Sequence, residues 1–174
     1  MNKTFVHLFL SLFGFPLFLP AQSPKSTYDP KKISKPILQI AKDIAKENEV
    51  HNAAISVAGE KTLQYRRFEA LVKKANFNEL LELVEHPNPA VRVYAFWGLA
   101  KREFEKLEAV LMAHAADEQL VYHIQGCLGG DIKVIDFMLQ VVTPEMIDWE
   151  CKKLDKAALD RLQERQRLLK KSRE

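Results

Sequence analysis

Apolar positions recur along this chain at the spacing of helices. Ile37, Ile40, Ala41, Ile44 and Ala45 follow Pro36 at i, i+3, i+4 intervals and predict a first helix running to about Asn48. Pro36 suits its first turn, where no backbone donor is needed. Phe68, Leu71, Val72 and Ala75 mark a second helix. Leu80, Leu81, Leu83 and Val84 mark a short third, and Phe104, Leu107, Val110, Leu111 and Ala115 a later one. Between the last two, Val91, Ala95, Gly98 and Leu99 line one face of a helix wheel while Val93, Phe96, Trp97 and Ala100 line the opposite face. A helix apolar on both sides must be sandwiched between neighbours.

The texture changes around these stripes. Ser23 to Lys35 is rich in proline, serine and lysine and predicts a disordered linker over residues 22–35. Asn52 to Glu60 is small and mixed, and is expected to be a connection. Leu120 to Ile124 favours an extended segment, broken at Gly126-Cys127-Leu128-Gly129-Gly130, so residues 119–131 form a small irregular piece. Val134, Ile135, Met138, Leu139 and Val142 fit a helix over 132–142. Thr143-Pro144-Glu145-Met146 carries the composition of a helix start. A final helix from about Asp155 places Leu154, Ala158, Leu162 and Leu169 on one side. It ends with Arg161, Arg165, Arg167, Lys170, Lys171 and Arg173 against only Glu164 and Glu174.

The stretch from Glu79 to Ala100 resembles one HEAT-type repeat: a short amphipathic helix stops at Pro87, Asn88 can cap the next helix, and Pro89 takes its first position. Val91, Ala95 and Leu99 then form a seam. Setting Leu80 on Leu111, Leu81 on Met112, His86 on Asp117 and Val91 on Tyr122 gives a plausible period of 31 residues, although the second copy reads Tyr122-His123 in place of Val-Arg. The resemblance implies a mainly α fold, a compact HEAT-like stack of antiparallel helix pairs spanning residues 36–174. In that family a turn Asp and the Arg matching Arg92 form a polar ladder between repeats, and here His86 stands at the turn.

Composition changes this picture little: 174 residues, 47% hydrophobic and 28% charged, with a formal net charge of +3, describe one domain with its own core. Before it, Lys3 precedes an apolar stretch from Phe5 to Leu19 and then Leu19-Pro20-Ala21-Gln22, the pattern of a signal peptide over residues 1–21. The expected location is the periplasm or the exterior, with a soluble mature chain and little exposure to nucleic acid. The basic C-terminal helix could make a weak electrostatic contact with an anionic surface.

Candidate chemistry is sparse. Cys127 and Cys151 are the two cysteines of an exported chain, and a disulfide between them is the first reading, worth roughly 3 kcal/mol for a loop of about 25 residues. Two inert thiols are the second reading. A thiol- or metal-dependent activity centred on His123, Cys127 and Cys151 is the third, short of ligands for zinc. Motifs for phosphate, dinucleotide or serine chemistry do not occur, so no cofactor or metal and no enzymatic activity is expected. Arg92, Tyr94, Phe96 and Trp97 are the candidate binding residues. They belong either to the core or to an anchor for a protein partner, and a scaffold that binds such a partner is the expected role.

Overall fold

The computed structural model describes residues 27–55 and 61–172. The expected signal peptide and residues 22–26 of the expected linker lie outside the described residues, as do residues 56–60 of the expected connection. Seven α-helices and three strands follow in the order α1 (Lys35–Glu47), β1 (Glu49–Ile55), α2 (Leu63–Lys74), α3 (Phe77–Val84), α4 (Pro89–Lys101), α5 (Leu107–Ala113), β2 (Leu120–Gly126), β3 (Leu128–Lys133), α6 (Val134–Val142) and α7 (Lys156–Lys171). No described helix is long and apolar enough to cross a membrane.

The organising element is α4. Every residue from Pro89 to Ala100 is buried, because the helix is enclosed by α1, α2, α3, α5, α6 and the first two strands. Its aromatic side chains meet partners on several of these elements. Phe68 of α2 stacks on Trp97 at 4.5 Å and on Tyr94 at 5.1 Å, and Phe137 of α6 closes on Trp97 at 5.7 Å. Gly98 lets α3 approach: a Cβ there would lie 3.3 Å from Leu80 Cδ2.

Caps set the helix boundaries. Asn88 starts α4 by accepting from Val91 N, and its amide reaches Asn48, the left-handed C-cap of α1, at 2.7 Å. Asn76 and Glu79 form a reciprocal capping box on α3. Glu79 Oε1 also accepts from Ser34 N, and Glu82 accepts from Asp29 N and Lys32. These bonds, with buried Ile33, fold residues 27–34 onto α3 around a short 3-10 turn at 30–32. The linker expected over 22–35 is therefore ordered in its second half, where two glutamates supply what its composition lacks.

The expected connection from Asn52 is instead part of a strand. β1 runs parallel to β2, and β2 pairs antiparallel with β3, giving the order β1-β2-β3. Small residues conceal β1 in the sequence, and the side chains that hold its outer edge come from distant helices. Tyr94 Oη accepts from His51 N at 2.7 Å, and Gln64 donates to the Glu49 carbonyl at 2.8 Å. The glycine break is the turn of the β2–β3 hairpin. Gln125 opposes Leu128, leaving Gly126 at φ 59° and Cys127 between them, the arrangement that places glycine first in a two-residue hairpin loop. Ile132 and Lys133 accordingly close a strand, and the helix expected over 132–142 begins at Val134.

The helix start expected at Thr143 is a helix stop. Thr143 caps α6 with its hydroxyl on the Leu139 carbonyl at 2.8 Å, and Pro144 has no N–H with which to continue. The final helix begins as expected, at Lys156, with Asp155 accepting from Ala158 N.

Candidate functional site

Between α6 and α7, residues 143–155 cross the molecule without forming a helix or strand, yet almost every turn of this segment is tied down. Ile147 and Cys151 are buried. Lys152 N donates to the Ala100 carbonyl at the end of α4, and Leu154 N to the Val142 carbonyl at the end of α6. The ammonium of Lys152 reaches the Phe104 and Glu105 carbonyls at 3.0 and 3.1 Å; that of Lys153 reaches the Val141 and Ile147 carbonyls at 2.7 and 2.9 Å. Cations suit these carbonyls, which carry the negative ends of helix dipoles or lie just beyond them. Burial pushes the Lys153 pKa down from its ordinary value.

Asp148 is the pivot of the segment. It sits at φ 50°, in the left-handed region that asparagine and aspartate tolerate better than other non-glycine residues. Its carboxylate accepts from Trp97 Nε1 at 2.8 Å and from Lys101 Nζ at 2.9 and 3.1 Å. Lys101 donates as well to Glu150 Oε2 at 2.9 Å. Burial opposes both charges, but the hydrogen bonds outweigh it: the Lys101 ammonium is held above its ordinary range and the Asp148 carboxyl below its own. Asp148 and Glu150 thus brace the loop from either side of Trp149. That indole points away from the body and is 86% exposed, the largest exposed apolar side chain among the described residues.

Trp149 stands at the rim of a cleft of about 510 Å³. Trp97 and Lys101 of α4 and Tyr65 of α2 line its interior. Lys61 and Glu69, paired with each other, form one wall; Asn52 comes from the middle of β1 and Gln125 from the end of β2. Asn52 Oδ1 lies 2.9 Å from His123 Nε2, which leaves the Asn52 amide hydrogens for the cleft.

Of the candidates drawn from the sequence, Trp97 lines this cleft, and Arg92, Tyr94 and Phe96 are not among its lining residues. Tyr94, Phe96 and Trp97 are buried; Trp97 both lines the cleft and supports it through its bond to Asp148. Arg92 is also buried, with a bidentate contact to Asp117 at 2.7 and 3.0 Å and further bonds to the Gln119 side chain and the His86 and Pro87 carbonyls. Its guanidinium is fully engaged inside the chain.

Cys127 and Cys151 are both free thiols, one exposed at the hairpin tip and one buried, so the expected disulfide is not formed. Burial first, and then the Asp148 charge, push the Cys151 thiol up to about 12, leaving it protonated and unreactive at neutral pH. His123 lies on a strand, where four residues span about 13 Å, and so does not share a helix face with Cys127. Its ring packs edge-on against Phe137 at 4.9 Å. Burial, aided by His51, pulls its pKa down to about 4. Among the described residues no cluster of His, Cys, Asp and Glu could hold a metal.

Apart from Trp97, the residues that build the cleft belong to no motif of the sequence, and the fold brings them together from separate elements. One signal was present: Trp149 between two acids, in a polar stretch without an apolar stripe, is a large apolar residue that no helix or strand accounts for. Comparison with protein-family models, with curated proteins and with solved structures finds no match for this chain.

Proposed function

We propose that this chain is an exported, non-enzymatic binding domain built of HEAT-like helix pairs, and that it recognises a protein partner through Trp149 and the cleft beside it. The observation that carries the reading is the pairing of extreme exposure with tight support: an 86% exposed indole on a loop whose two flanking acids share one ammonium. Large amphipathic aromatics on a backbone held in place before binding are typical anchors of interfaces, because little loop entropy remains to be lost. The cleft's carboxylates are engaged in ion pairs, which suits recognition better than proton transfer.

The helix-pair part of the reading is supported by Arg92. It reaches Asp117, which stands one 31-residue period after His86, the place where a turn acid is expected in the following repeat. A photo-crosslinking amino acid at position 149, in cells that make the protein, tests the binding role. The expected result is one discrete protein adduct, absent when the same group replaces Leu168, which is exposed on α7. Equal labelling from both positions would overturn the reading.

A further inference from the structure

We infer that the group seated on Trp149 is cationic, an arginine side chain of the partner; this rests on the binding role proposed above. The argument starts from charge. Lys61 and Glu69 neutralise one another on the α2 wall. On the facing side Asp148 and Glu150 share the single ammonium of Lys101, so the loop that presents Trp149 keeps one net negative charge. That charge is accessible at Glu150, whose side chain is 71% exposed. Only its Oε2 is bonded, and Oε1 takes no partner among the described residues.

An indole face next to a half-used carboxylate is complementary to a guanidinium. The planar cation stacks on the ring while its N–H fork donates to the carboxylate. An ammonium matches the charge but not the plane. Asn52 of β1 and Gln125 of β2 add amide groups suited to the backbone of an extended segment. An acidic segment would meet Glu150 with like charge, and a saccharide would stack on Trp149 but leave the carboxylate without a counter-charge.

The test is calorimetric titration of the purified protein with a six-residue peptide alternating glycine and arginine, and with the same peptide carrying citrulline, which keeps the shape of arginine and lacks its charge. The arginine peptide is expected to bind about tenfold more tightly. Glu150→Gln should remove most of that preference and Trp149→Ala should abolish binding, with the fold of each variant verified by circular dichroism. Raising the salt should weaken the arginine peptide and leave the citrulline peptide unaffected. Equal binding of the two peptides would overturn the inference, as would tighter binding of a glutamate–glycine peptide or of maltohexaose. If crosslinking from position 149 still captures one protein while the arginine peptide shows no advantage, the cationic inference falls and the binding role stands.

Discussion

Helix α4 and the segment 143–155 pack against each other, but they are held by opposite means. In α4 the positions that matter are apolar, and neighbours on every side share the work of enclosing them. Along the segment, six carbonyls and two acids are satisfied by three lysine side chains and two backbone N–H groups, each contact made by one particular atom. Packing tolerates exchange among side chains of similar volume, whereas a pinned loop depends on each pin. The first means sets the fold; the second holds the backbone that carries one exposed side chain, Trp149.

The largest effect that separates the two regions is expected at Gly98. A glutamate there would drive a charge between Leu80 of α3 and Val72 of α2, and an unpaired buried charge costs several kcal/mol; Ala95→Asp does the same on the neighbouring turn. Both variants should lose cooperative unfolding and helical circular dichroism. Gly98→Ala is the sharper control. Its Cβ is crowded by the flexible end of Leu80 at 3.3 Å and meets Val72 at an ordinary 3.5 Å, so the melting temperature should change by no more than about 4 °C, since about 1 kcal/mol corresponds to that shift at this size.

Next in size is Arg92, the one charged residue in the buried stretch of α4. Arg92→Met leaves Asp117, whose side chain is 14% exposed, without its bidentate partner and strands the His86 and Pro87 carbonyls. Breaking such a pair costs about 3 to 5 kcal/mol, and the chemical-denaturation midpoint should fall accordingly, with an unchanged slope. If the variant were as stable as the parent, α4 would be held by apolar packing alone.

His123 gives a third and smaller effect. Its folded pKa of about 4 lies below the value near 6.5 of an unfolded histidine, so the fold favours the neutral ring. That contribution is complete above pH 6.5 and is lost as the pH falls toward 4, by at most about 3 kcal/mol. His86, pulled down by burial and then by Arg92, acts in the same direction. Denaturation midpoints measured from pH 7 to pH 4 should decline in the parent, and the decline should be shallower in His123→Gln.

The same contrast explains what could be read from the chain. Helices α1, α3, α4 and α7 were legible because their apolar spacing and their caps, Asn88 with Pro89 and Asp155, are local. The extended segment at Leu120 was legible from its composition. β1 was not, because Ala53 and Ala54 carry no strand pattern and its edge is satisfied by Tyr94 and Gln64, 43 and 15 residues away. Thr143-Pro144 was misread because threonine and proline serve a helix end as well as a helix start, and only the Leu139 carbonyl decides between them. The cysteines suggested a bridge by number alone, and the fold exposes one while burying the other. At the candidate site Trp97 was singled out for its neighbours in sequence. Trp149 was not, since the lysine that braces its loop lies 47 residues from Asp148.

The central claim is that Trp149 is held outward by a rigid loop, and backbone 15N relaxation of Asp148, Trp149 and Glu150 tests it most directly. Order parameters close to those of α4, about 0.85, are the expected result, falling in Lys101→Met as the shared ammonium is removed while α4 itself stays unchanged. Values below about 0.6 in the parent protein, the range of a mobile loop, would contradict the claim.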